Sequence, residues 1–422
     1  MELSLEAYRI IVNNVRSRVD LAMLCLVSKG FRRVAERALY NTIFMHEAER
    51  TKKICKTLVS QPRVAELVEA LTIAIEEDEG RGEDEGIQAQ KNLWPAIADA
   101  LKKMTRLRHL SVVIDGSLTS PYSGRLAWIL ADCPFRLKSF HSDMRWDEDL
   151  VRFLNVQDAI EDLYIGDYDE GQETEVVEMS GDPRTPNSGL ILSPSALPHL
   201  FTLECTFSEA AIAIVPGRPV SRLKTCFSRT DPEGKREEMK ILFEALGKAL
   251  VIGRSNGWYA LDIADAEYEE NFAMDLLKAV VNLTLVRPSR TVASTTLTGS
   301  VSLKGTLRYL GTLVLPVGGK ERLLFYGLLM QLRRLCCVEL EVSAWNPSPA
   351  TVGPVAFRAL GNELRLYCPG MAKIVFVSMN VEEGDDIGER TTVEWVQGDG
   401  VARVEREVMN GMSGSEGLWR DV

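Results

Sequence analysis

Apolar side chains in the first forty-odd residues recur at helical spacing. Leu5, Tyr8, Ile11, Val12 and Val15 fall on one face, so a first helix is predicted over Leu5–Val15. Asp20 is the expected N-cap of a second helix carrying Leu21, Leu24, Leu26 and Val27. Ser28 is the expected cap of a third, with Phe31, Val34, Ala35, Ala38 and Leu39 on one side and Arg32, Arg33, Glu36 and Arg37 on the other. Three such helices are too few to bury a self-sufficient core, so they must lean on the rest of the chain, on a partner, or on both. A linking helix is predicted over His46–Leu58. Beyond it the period changes. Short alternating segments end at Ile75, Ile114, Phe140, Ile165, Phe207, Phe227, Ala264, Val286, Val317, Val342 and Val377. Most have the form L-x-x-L-x-L, and their final alternation predicts a short strand. Helical patterns separate them: Trp94–Met104, Ser123–Ala131, Asp147–Leu154, Glu237–Val251, Glu270–Val280, Arg322–Leu332 and Val355–Leu366.

Strand and helix in alternation require parallel strands with helices outside them, and units of this size bury their apolar faces only by stacking. The pattern resembles a leucine-rich repeat in degraded form, with irregular steps and little asparagine at the usual turn position. A different layered α/β arrangement is the alternative. The expected fold class is α/β, a three-helix module followed by an irregular solenoid of parallel strands and outer helices.

The opening module resembles an F-box, in the form common in large fungal families. The residues that carry the likeness are Leu3, Leu5-Glu6 and Tyr8-Arg9-Ile10-Ile11, then Asp20-Leu21, Leu24 and Leu26-Val27-Ser28-Lys29, then Phe31-Arg32, Ala35 and Leu39-Tyr40. Ser4 stands where the family usually has proline, and Ala7 where a larger aliphatic is common; both lie in the segment that touches the adaptor in that family. The resemblance implies a non-catalytic substrate receptor of an SCF-type cullin–RING ubiquitin ligase. The F-box helices would dock a Skp-family adaptor, itself joined to a cullin scaffold, and the repeats would hold an unknown protein substrate. Carried over position by position, the adaptor-facing residues are Leu3, Leu5, Ile10, Leu21, Leu24, Val27 and Phe31, several of which could equally form the internal core of the bundle. For Ile11, Val12, Val15, Val34 and Leu39 the core is the preferred reading. The alternative is a repeat scaffold whose F-box-like helices only cap the end of the solenoid.

The implied organisation has a helical domain over 1–45, a linking helix over 46–62, a repeat domain over 63–405 and a flexible tail over 406–422, which Trp419 could pin. Two insertions, 76–86 and 167–189, lack an apolar period and are rich in acids, glycine or proline, so they read as solvated surface loops; Glu382–Arg390 reads as a third.

A net charge of −11 argues against nucleic acid or an anionic membrane as the main partner. Eight cysteines without a C-x-x-C pair read as free, mostly buried thiols in a reducing compartment, and the expected location is intracellular, cytoplasmic or nuclear. Gly253-Arg254-Ser255-Asn256-Gly257 matches a nucleophile elbow in letters only: the expected order is helix then strand, and all four histidines lie upstream. Gly318-Gly319-Lys320 lacks the first glycine and the hydroxyl of a phosphate loop, and reads instead as the lead into a helix. No histidine stands three or four residues from another or from a cysteine. No catalytic residue, metal site or cofactor site is therefore expected. Trp146, Trp258, Trp345 and Trp395 are candidate substrate contacts or, equally, packing residues.

Overall fold

The computed structural model describes residues 4–75, 93–114, 126–167, 191–251, 257–264, 270–285, 306–346, 353–380, 387–395, 402–410 and 417–421. The chain is α/β and divides into two compact units, Met1–His199 and Leu200–Val422.

The first unit opens with helices α1 (Leu5–Asn13), α2 (Arg18–Val27) and α3 (Lys29–Tyr40). Five parallel strands come next in sequence order: β1 (Thr42–Met45), β2 (Ala70–Ile75), β3 (His109–Ile114), β4 (Ser139–Arg145) and β5 (Asp162–Asp167). The apolar positions of successive strands sit side by side. Ile43 aligns with Leu71, Leu71 with Leu110, Leu110 with Phe140, and Phe140 with Leu163. All five are buried.

The second unit continues the plan with parallel β6 (Thr202–Cys205), β7 (Arg222–Cys226), β8 (Ala260–Ala264), β9 (Tyr309–Val314), β10 (Cys337–Glu341) and β11 (Lys373–Asn380). Its apolar ladder runs Leu203, Leu223, Leu261, Leu310, Val338 and Ile374, each removed from water. Each such side chain contributes roughly 1.5–3 kcal/mol by burial.

The L-x-x-L-x-L reading has a direct physical counterpart. Its first apolar position lies just before the strand and its second and third lie within it, as in Val68, Leu71 and Ile73, or Leu335, Val338 and Leu340; all six are buried. Before each of β1–β4 and β6–β10, one carbonyl accepts two N–H groups from the residues leading into the next strand. Glu69 O, for example, accepts from Arg108 and His109 at 2.9 and 3.0 Å, and Arg308 O accepts from Cys336 and Cys337, both at 2.9 Å. The backbone thus sets the register one step before the side chains pack.

Four expectations change. The first is that Ser17, not Asp20, caps α2: its backbone is extended and its Oγ accepts the Asp20 N–H at 3.3 Å. Asp20 instead lies in the first turn, where its carboxylate complements the positive helix end. The second concerns the segment ending at Val286, whose described residues, up to Leu285, are the last turn of a helix, Glu270–Leu285, and not a strand. Leu276, Val280 and Leu283 keep a helical stripe buried through it. The third is that Thr42–Met45 forms a strand, so the opening module runs straight into the sheet; the linking helix comes after it at Ala48–Ser60.

The fourth lies at the C-terminus. The chain adds an antiparallel hairpin, β12 (Ile387–Trp395) and β13 (Ala402–Asn410), paired through β11. Ile387–Arg390 are therefore strand rather than acidic loop, and residues 406–410 belong to β13 rather than to a flexible tail. The insertion at 76–86 lies outside the described residues. So does that at 167–189, apart from Asp167 at the end of β5.

Candidate docking surface

The three opening helices form a small core of their own. Val12, Leu21 and Ala35 are buried at its centre, with Val15, Leu24, Cys25, Phe31, Val34 and Leu39 packed around them. Tyr8 meets Phe31 edge-on, with ring centroids 4.6 Å apart. Gly30 leaves room for this contact, since a Cβ would stand 2.5 Å from the Tyr8 ring and push it aside. Ser4 caps α1 by accepting the Ala7 N–H at 3.3 Å, so the residue that departs from the usual proline supplies a helix cap instead. Ser28 caps α3 by accepting the Phe31 N–H at 3.2 Å, as expected. Ser28→Ala should lower stability by about 1 kcal/mol and speed amide exchange in the first turn of α3, as read by hydrogen exchange.

Polar contacts tie the module to the chain just beyond it. Arg63 donates to both Glu36 oxygens, at 2.6 and 3.1 Å, and Arg37 donates to Glu69 at 2.8 Å. Arg63 holds the Glu36 carboxyl below its ordinary range. Arg18 donates to the Leu39 carbonyl at 2.8 Å, which fastens the start of α2 to the end of α3.

Helix α2 is apolar on two sides. Leu21, Leu24 and Cys25 face the inner core. Val19, Met23, Leu26 and Val27, at i, i+4, i+7 and i+8, are 71%, 59%, 75% and 65% exposed. Leu5, Ile10 and Ile11 add exposed apolar surface on α1. A helix that is apolar all round normally has cover on every side. Clustered exposed apolar side chains of this kind mark interaction sites.

The residues expected to face an adaptor divide accordingly. Leu5, Ile10 and Val27 are exposed, whereas Leu21 is buried and Leu24 and Phe31 pack into the inner core. Leu3 lies outside the described residues. Of the core-preferred set, Val12 is buried and Val15, Val34 and Leu39 pack around it, but Ile11 is exposed. Sequence reasoning did not single out Val19 and Met23, although their spacing with Leu26 and Val27 was there to be read.

The other candidates resolve as structure. Trp146, Trp258 and Trp395 are buried, which removes them as substrate contacts, and Trp345 donates its indole N–H to the Leu315 carbonyl at 2.9 Å. All eight cysteines are free. Burial pushes the Cys55, Cys133, Cys205 and Cys337 thiols up to about 12, far from a reactive thiolate.

Gly257 comes after the helix Pro232–Val251 and precedes β8, the reverse of the order a nucleophile elbow needs; residues 252–256 lie outside the described set. Gly318 is the N-cap of the helix Gly319–Leu329. Ser139, His141 and Asp162 come together on β4 and β5, but Ser139 Oγ and Asp162 Oδ2 both approach the same His141 nitrogen, Nε2, at 3.3 and 3.1 Å. A proton relay needs both ring nitrogens, so this is not a catalytic triad. No group of three metal-ligating side chains occurs among the described residues.

The second unit holds a feature that sequence reasoning missed. On the sheet face opposite the apolar ladder, Asp262, Glu339 and Glu341 are all buried. Gly311 makes room for Asp262, since a Cβ there would stand 2.4 Å from its Oδ1. Thr312, with φ of 43°, donates from Oγ1 to that oxygen at 3.0 Å. Arg390 of β12 donates to Glu339 Oε1 at 2.6 Å. Burial first, and then the neighbouring Asp262 charge, pushes the Glu339 carboxyl up to about 7, with Arg390 opposing. Burial also raises Asp262 and Glu341.

The architecture and the exposed helical face define an α/β protein whose two units each carry mainly parallel, sequentially ordered strands, with an uncovered apolar face on the N-terminal helices. No family model and no curated protein matches the chain. No helix among the described residues is long and apolar enough to cross a membrane.

Proposed function

We propose that this protein is the substrate-recognition subunit of an SCF-type cullin–RING ubiquitin ligase. The helices α1–α3 act as the F-box that docks a Skp-family adaptor, which a cullin scaffold joins to the catalytic subunits. The strands and helices beyond act as an irregular leucine-rich-repeat domain that holds a protein substrate. The chain does no chemistry; it raises the local concentration of the substrate and orients it, an effective-concentration effect. The observation that carries this reading is the exposed stripe Val19, Met23, Leu26 and Val27 on α2, backed by an inner core that lets the module keep its shape while offering that stripe to a partner.

One observation favours a second reading. Helix α3 passes directly into β1 and is ion-paired to the neighbouring segment through Glu36–Arg63 and Arg37–Glu69. This suits a cap that protects the first strand of a non-catalytic scaffold. The two readings separate in one pull-down. Purified Skp-family adaptor should co-elute with the full chain at equal stoichiometry. A folded chain that leaves the adaptor in the flow-through establishes the scaffold.

A further inference from the structure

The sheet face that carries the buried acids in the second unit is not bare. The last described segment, Leu418–Asp421, is a single helical turn that lies on it. Trp419 is fully buried against Ala260, Tyr309 and Cys337, the aligned first residues of β8, β9 and β10, and Leu418 packs beside them. Arg420 stacks on the Trp419 ring at 4.7 Å and donates to Glu204 of β6 at 2.6 Å. Two adjacent side chains thus make the seat, one flat and aromatic, the other cationic and matched to a carboxylate. The indole Nε1 has no hydrogen-bond partner, although the ring is removed from water. A buried indole N–H normally has a partner, and among the described residues Trp258 Nε1 lacks one too. The surroundings are charged and balanced: Glu204, Asp262, Glu339 and Glu341 share the face with Arg222, Lys224, Lys373 and Arg390, and Lys224 also pairs with Glu204, at 3.1 Å.

We infer that this face is a binding surface for a partner's peptide segment in which an aromatic residue is followed directly by arginine, and that the chain's own Leu418-Trp419-Arg420-Asp421 occupies it as an internal ligand. The aromatic ring fills the space over Ala260, Tyr309 and Cys337, and the guanidinium takes the Glu204 carboxylate. A partner segment that also satisfies the indole N–H displaces the internal turn. A turn of four residues is a small competitor, because its Arg420–Glu204 ion pair lies at a partly exposed site, where such pairs contribute little. The internal turn also sets a threshold, since any partner must exceed its effective concentration. This inference is independent of adaptor docking, which uses other residues.

The probe is a synthetic peptide, SGSEGLWRDV, the sequence of residues 413–422. It is titrated by fluorescence anisotropy into three full-length proteins: wild type, Arg420→Ala and Trp419→Ala. Arg420→Ala breaks only the half-buried, ion-paired end of the seat and should bind the peptide at least tenfold more tightly than wild type. Trp419→Ala should bind it more tightly again, and a probe with alanine in place of its tryptophan should not bind. Glu204→Gln, combined with Arg420→Ala, should remove most of the gain. Hydrogen exchange on the wild type gives a second reading: amides of Leu418–Asp421 should exchange at least a hundredfold faster than those of β8–β10. Equal binding by Arg420→Ala and wild type, failure of Trp419→Ala to fold, or exchange in the turn as slow as in the strands would each overturn the proposal and make the turn a fixed part of the core. Adaptor pull-down is unaffected by any of these outcomes, so the two proposals fail separately.

Discussion

Aspartate at both Ile10 and Val27 should abolish adaptor binding and leave the fold intact. The two side chains are 62% and 65% exposed, so in the free protein the new carboxylates stay hydrated and stability changes by about 0.5 kcal/mol or less per site. Covered by a partner, each carboxylate would lose its water without gaining a counter-charge, a cost of several kcal/mol. With about 1.4 kcal/mol for each tenfold in Kd, the double variant should bind at least roughly a thousandfold more weakly. Isothermal titration with purified adaptor measures the affinity, and circular dichroism with thermal melting checks the fold. Leu21, Leu24 and Phe31 are poorer sites for the same experiment because they build the inner core, and a charge there would unfold the module. Wild-type affinity in the Ile10→Asp, Val27→Asp protein would sink the proposed docking surface.

Arg390→Met should destabilise the second unit by about 3–5 kcal/mol at pH 8, and by far less at pH 5. Arg390, itself half-buried, lies 2.6 Å from the buried Glu339, and removing it strands the buried charge. The pH dependence comes from Glu339. Its folded pKa is raised to about 7, above the unfolded range near 4.3, so between those values the folded state binds more protons than the unfolded state. Stability is therefore greatest at the acid end of that window and falls as pH rises through it, by up to about 1.4 kcal/mol per pH unit for one proton. Asp262 and Glu341, also raised, act in the same sense. In Arg390→Met the ionised form loses its hydrogen-bonded cation, so the fall between pH 5 and pH 8 should steepen. Glu339→Gln should flatten it. Urea unfolding at pH 5, 6, 7 and 8 tests both variants. A wild-type stability that climbs from pH 5 to pH 7 would refute the assignment.

Most of the strand plan was legible because its signal is local. The triplets Leu107, Leu110, Val112 and Ile160, Leu163, Ile165 state both the strand and the side it buries, since alternation decides which face meets the helices. The segment before Val286 misled because an apolar run of that length fits a strand or a helix end equally well, and only the helix Glu270–Leu285 around it decides. The β12–β13 hairpin was present in the letters as alternation on either side of Gly398-Asp399-Gly400, and its acids disguised it as loop.

The sequence by itself determined the periods: a helical module, then strands in order, each with its apolar face marked. Tertiary structure decided which of two possible faces each helix keeps for itself. Helix α2 carries apolar residues all round, and only the packing of Leu21 and Leu24 against α1 and α3 leaves Val19, Met23, Leu26 and Val27 outward. It decided, too, that Asp262 and Glu339, written at positions that usually meet water, lie buried together, and that Trp419 closes over Tyr309 from far along the chain. Periodicity is a property of neighbours along the chain, whereas exposure and the titration of buried acids depend on what the rest of the chain brings alongside.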